Sequence, residues 1–173
     1  MEQNDKALAD FACAIKLHPN YPEAYMNRGQ TLSRMRQLQK ALADFAYAIK
    51  LRPDYPEAYM YRAITLARTG QFEKALAAFD RAVELRPGYA EARFEKARTL
   101  CFAVQGSQQH LSRKECLAEA IDLLESAVDI DNRLLAKIVR ERNAFSQLKT
   151  DPDHGPRFDA LVWERDHRKD QQG

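Results

Sequence analysis

The chain reads as an all-α solenoid, a stack of helix pairs, and three observations carry that reading. Pro19, Pro53 and Pro87 stand 34 residues apart, each followed after one intervening residue by Tyr21, Tyr55 or Tyr89. Ala7, Ala41 and Ala75 keep the same step, as do Phe11, Phe45 and Phe79, and Ala14, Ala48 and Ala82. Between Pro53 and Pro87 lie two helix-length patterns separated by Thr69-Gly70-Gln71. A period of this length carrying two helices is the mark of stacked helical repeats.

The bulk properties narrow the class. A length of 173 residues suits one compact domain or a short solenoid. The net charge of +2 demands neither nucleic acid nor an anionic membrane. No stretch approaches the roughly 20 apolar residues of a membrane span. No charged-then-apolar leader precedes the first helix, so a cytoplasmic location is expected. Cys13, Cys101 and Cys116 are odd in number and far apart, which fits reduced thiols better than metal or redox work.

In chain order, residues 1–21 hold only the second helix of a repeat, with Ala7, Leu8, Phe11, Ala14 and Ile15 at helical spacing. Its first helix is missing, so the Leu8/Phe11/Ile15 face is expected to be sticky and is a candidate homodimer contact. Residues 22–55 and 56–89 are full repeats. Their first helices are expected over 22–35 and 56–69, their second over 38–51 and 72–85. Asn20 and Asp54 stand three residues before Glu23 and Glu57, a capping-box spacing, and Pro22 and Pro56 fall in the first turn. Small residues at Gly29, Ala63 and Ala97, answered by Ala41, Ala75 and Ala120, allow close helix approach, with Tyr25, Leu32, Phe45, Tyr59, Leu66 and Phe79 filling the space around them. Asp10 and Asp44 precede repeats carrying Arg28 and Arg62, which suggests the inter-repeat pairs Asp10–Arg28 and Asp44–Arg62.

Residues 90–131 form a third repeat that departs from the pattern. The counterpart of Ala75 falls at Ala120 rather than 109, so eleven residues are inserted. The polar run 105–111 is the expected loop, between helices over 90–104 and 113–130, with Ser112 and Glu115 reading as a capping box. Residues 132–163 read as a helical cap, in which Leu134, Leu135, Ile138, Val139, Phe145, Leu148, Phe158, Leu161 and Trp163 are the apolar candidates. Residues 164–173 are a charged tail.

Through Tyr59, Ala63, Leu66, Gly70, Phe72, Ala75, Phe79, Ala82 and Pro87 the chain resembles the tetratricopeptide repeat family. The stretch 143–162 is similar to a closing segment found after bacterial arrays of this family, with His154-Gly155-Pro156 interrupting it. The resemblance implies a right-handed superhelix whose first helices line a concave groove. It further implies a non-catalytic scaffold or adaptor that holds a partner peptide or domain there. The stripe beside the packed face then supplies the groove candidates: Met26, Gln30 and Arg34, then Met60, Ile64 and Arg68, then Phe94, Arg98 and Cys101. Apolar centres with distributed arginines suit a peptide bearing hydrophobic and acidic groups. Arrays of this family that grip acidic chaperone tails use Lys and Asn. At the matching places this chain has Met26, Gln30, Tyr61, Glu91 and Glu95, and the two acids would repel such a tail.

No catalytic constellation is legible. His18, His110, His154 and His167 show no metal spacing with one another or with the cysteines, and no phosphate-binding glycine loop or nucleophile elbow is present. No metal or cofactor is expected. Arg113-Lys114 and the basic residues of 165–169 are too diluted by acids for a nucleic-acid face. The other readings consistent with the sequence are a homo-oligomerisation module and a regulatory piece of a larger enzyme.

Overall fold

The computed structural model describes residues 2–105 and 112–168, and among them every regular element is helical. Of the expected loop at 105–111, Gln105 ends a helix, and residues 106–111, like the last part of the tail, 169–173, lie outside the described residues. The chain divides into two compact units, Met1–Pro87 and Gly88–Gly173.

The first unit contains α1 (Glu2–Leu17), α2 (Pro22–Arg34), α3 (Leu38–Leu51), α4 (Pro56–Arg68) and α5 (Phe72–Leu85). The bounds of α4 and α5 repeat those of α2 and α3 at the 34-residue offset, each within a residue of the expected limits. Pro22 and Pro56 occupy the first turn, where the missing N–H breaks no helical bond. Three-residue turns reverse the chain between the helices of each pair. Arg36 (φ 62°) and Gly70 (φ 75°) hold equivalent left-handed positions in those turns.

Antiparallel packing follows from which residues meet. Glu23 at the start of α2 pairs with Arg52 just beyond α3, and Glu57 at the start of α4 pairs with Arg86 just beyond α5. These ion pairs replace the expected capping boxes. Tyr21 and Tyr55 hold the N-cap positions with no side-chain cap bond, since Asn20 and Asp54 lie one residue before the N-cap and the tyrosines offer no short acceptor. In the middle of the first pair the α2 backbone crosses the Phe45 ring. A Cβ at Gly29 would lie 2.7 Å from Phe45 Cε1, so the ring occupies the space a larger residue would need. Ala41, Phe45, Ala48, Ala75, Phe79 and Ala82 are fully buried. Each buried phenylalanine contributes about 1.5–3 kcal/mol relative to an exposed one.

Arg28 binds Asp44 in a two-pronged pair, Nε to Oδ2 at 2.8 Å and Nη2 to Oδ1 at 2.7 Å. This corrects the inter-repeat pairs expected from the sequence: Asp44 is taken by the arginine of its own helix pair, not by Arg62. Arg28 and Asp44 lie equally far from the turn at Arg36, which is why an antiparallel pair brings them together. Leu8 and Ile15 of α1 pack against core clusters built on Leu32, Ala41 and Phe45, and on Tyr25, Met26 and Ala48. Leu8 and Ile15 thus make contacts within their own chain, and both stay half-buried, as does Phe11.

The second unit contains α6 (Ala90–Gln105), α7 (Arg113–Ile130), α8 (Arg133–Arg140), a 3-10 turn (Arg142–Phe145), α9 (Ser146–Lys149) and α10 (Gly155–Arg168). Ser112 caps α7 by accepting from the Glu115 amide at 3.5 Å. The core is Phe94, Leu100, Leu117, Ile121, Leu124 and Ile138, closed by Phe145, Leu148 and Phe158. Asp151 Oδ1 accepts from the amides of Asp153 and His154 at 3.1 Å and turns the chain into α10. His154-Gly155-Pro156 thus leads into α10. Arg157 then ties α10 to Asp122 and Glu125 of α7.

Candidate functional site

The first helices carry the candidate stripe, and its fate differs by position. In the first unit, Gln30 and Arg34 of α2 face Ile64 and Arg68 of α4 across a hollow of about 90 Å³, completed by Ser33 and Tyr61. Ser33, which lines the hollow, shares a hydroxyl pair with buried Thr65, Oγ to Oγ1 at 3.1 Å. Thr65 also donates to the Tyr61 carbonyl at 2.8 Å, so Ser33 can donate into the pair. Arg68 Nη1 donates to Ser33 Oγ at 3.0 Å, which holds the guanidinium over the rim. Gln30 Nε2 lies 3.3 Å from Met26 Sδ, which orients its amide. Arg34 is exposed and makes no ion pair among the described residues.

The methionines do not share this hollow. Met26 is 9% exposed and packs with Tyr25, Ala48, Tyr55 and Ala58, and Met60 is 1% exposed. Both are core where the sequence placed them on the groove. The cause is angular: a stripe drawn at positions i, i+4 and i+8 drifts around a 3.6-residue helix, and its first member turns toward the neighbouring helix. Of the other hollow-lining residues, Ser33 shares the α2 stripe with Gln30 and Arg34, and Tyr61 fell outside the chosen set. The signal for Tyr61 was helical spacing, since it lies three residues before Ile64 on α4.

In the second unit, considered by itself, the stripe is covered. Phe94 is fully buried, edge-on to Phe145 with ring centroids 5.7 Å apart, and Lys137 of α8 stands 4.3 Å over the Phe94 ring. Arg98 pairs with Glu95 at 2.5 Å and with Glu141 at 3.2 Å. Glu95, with its side chain 7% exposed, also accepts from Lys137 at 3.1 Å. Cys101 is fully buried, and burial pushes its thiol up to about 12. The structure therefore does not bring Phe94, Arg98 and Cys101 to an open face, because α8, the 3-10 turn and α9 fold back over α6.

Among the described residues no group of three His, Cys, Asp or Glu side chains is arranged to hold a metal. No helix among them is long and apolar enough to cross a membrane.

The comparisons with known proteins agree with this geometry. Residues 28–90 match the tetratricopeptide repeat family model. No curated protein matches the chain. Among solved structures, a crystal structure of MamA superposes with a TM-score of 0.71 at 18% identity, covering 97% of this chain and 91% of that one. MamA residues 41 to the end from Desulfovibrio magneticus RS-1 superpose with a TM-score of 0.62 at 23% identity, covering 95% of this chain and 87% of that one. The first tetratricopeptide domain of Spaghetti (RPAP3) bound to the HSP90 peptide SRMEEVD gives 0.60 at 18% identity, covering 75% of this chain and 94% of that one. The helix pairs, their 34-residue period and these matches together identify tetratricopeptide repeats over residues 28–90, within a helical-repeat fold.

Proposed function

We propose that the protein is a non-catalytic interaction scaffold that holds a partner polypeptide on the inner helix face of its first unit. The observation that carries this reading is the hollow between α2 and α4, where Ile64 and Tyr61 supply apolar surface and Arg34 and Arg68 supply positive charge. A segment with an apolar side chain next to an acidic one meets both features, the apolar group entering the hollow and the carboxylate meeting the guanidinium rim. Support from related architecture is that the RPAP3 domain holds a peptide, SRMEEVD, with three acidic residues among apolar ones. The Lys and Asn clamp of chaperone-tail binders is absent here, so the preferred partner is a different acidic sequence.

Affinity capture from the native host followed by mass spectrometry tests the reading. Wild-type protein should retain a partner that an Arg34→Glu, Arg68→Glu variant loses. Equal retention by both proteins places binding elsewhere.

A further inference from the structure

The two repeats of the first unit are near copies, and one substitution between them leaves a charge unanswered. In the first repeat the Arg28–Asp44 pair lies in an outer groove of about 540 Å³ bordered by Leu8, Leu32, Gln37 and Lys40. The hydrogen bonds that Arg28 donates to Asp44 hold its guanidinium above its usual pKa. Thirty-four residues on, the same stations carry Leu42, Arg62, Leu66, Gln71 and Lys74, but Asp44 is replaced by Ala78. Ala78 is 7% exposed and Asp44 is 6% exposed, so the two occupy the same kind of place.

Arg62 is partly buried, and among the described residues it makes no hydrogen bond or ion pair. Lys74, on the rim, donates to the neutral Gln71 amide at 3.0 Å. A guanidinium held partly out of water loses hydration with no counter-charge to offset it. Its planar fork matches a carboxylate through two parallel hydrogen bonds, the arrangement Arg28 makes with Asp44.

We infer that the face of α3, α4 and α5 that repeats this groove is a docking site for an Asp or Glu side chain of a partner polypeptide, whose carboxylate takes the place that Asp44 holds one repeat earlier. Leu42 and Leu66, the repeat equivalents of the groove residues Leu8 and Leu32, favour a carboxylate flanked by apolar residues over a free anion. The site shares no residue with the hollow between α2 and α4. Arg62 and Ile64 are two positions apart on α4 and so point to different sides of that helix.

The test is a selection from a random 12-residue peptide library displayed on phage. The target is the full chain carrying Arg34→Glu and Arg68→Glu, so that the inner face cannot contribute. Peptides with an Asp or Glu between apolar residues should be enriched. Titration calorimetry with the leading peptide should then show roughly tenfold or greater weakening on Ala78→Asp, on Arg62→Gln, and on changing the peptide's acid to its amide. Ala78→Asp should also raise the melting temperature by about 2–4 °C, because it restores the internal pair. A selection without acidic enrichment, or an affinity unmoved by Ala78→Asp and Arg62→Gln, overturns the inference. Loss of the host partner on changing Arg34 and Arg68 concerns the inner face alone, so the two proposals stand or fall separately.

Discussion

Tyr61 and Glu95 occupy the same repeat position, as do Ile64 and Arg98, yet their surroundings are opposite. In the first unit Tyr61 and Ile64 border an open hollow. In the second unit Glu95 is buried and Arg98 is clamped, because α8 and the 3-10 turn bring Lys137, Glu141 and Phe145 over the same face of α6. The difference teaches that a first helix does not by itself determine whether its stripe is surface or core. The element packed against that stripe decides, and in the second unit it comes from about forty residues downstream. The charges follow suit: paired acids and bases under a cover in one case, an exposed arginine beside a hollow in the other.

The comparison is broken most severely by removing the cover. Phe145→Ala deletes a fully buried ring that packs on Phe94 and Phe158. The lost burial and the cavity left behind should cost about 3–5 kcal/mol. Ile64→Ala, on the open face, should cost about 1 kcal/mol or less, because its side chain already meets solvent. Urea unfolding followed by circular dichroism distinguishes the two. Equal midpoints would mean that the second unit's cover contributes no more than a surface contact.

A smaller contrast concerns charge. Glu95→Ala strands Lys137 and Arg98, which share that carboxylate in a site where water cannot fully replace it. The expected loss is about 2 kcal/mol. Arg34→Ala should change stability by no more than about 0.5 kcal/mol, since the side chain is exposed and holds no ion pair among the described residues. The same unfolding measurement serves, and a loss of similar size at both positions would remove the distinction between a covered and an open face.

The sequence was most legible where a local rule acts. Proline in the first turn, the break before each second helix and the repeated alanines marked the helices to within a residue, because each depends on near neighbours or on the period itself. The stripe was less legible. Met26 and Phe94 look like groove anchors on a helical wheel, but Met26 meets Tyr55 and, in the next repeat, Ala58, and Phe94 meets a cap with no period. The same limit explains the ion pairs. Glu23 has a plausible capping partner three residues away, whereas its actual partner, Arg52, lies 29 residues on. Only the antiparallel hairpin, taken as a ruler centred on its turn, connects such positions.

That ruler also locates the smallest effect, at the turn itself. Arg36 and Gly70 are equivalent, and both hold a positive φ, 62° and 75°. For arginine the left-handed conformation brings Cβ close to its own carbonyl region, a strain that glycine does not feel. A Cβ at Gly70 would meet nothing within 4 Å, so backbone conformation rather than crowding separates the two turns. Arg36→Gly should therefore stabilise the first hairpin by up to about 1 kcal/mol, the relief of strain being partly offset by the greater freedom glycine has in the unfolded chain. Gly70→Arg should cost the second hairpin about the same amount. A thermal melt of each variant beside wild type measures both. If the two substitutions shift the midpoint in the same direction, the turns are not energetically equivalent and the treatment of the repeats as copies fails at its simplest position.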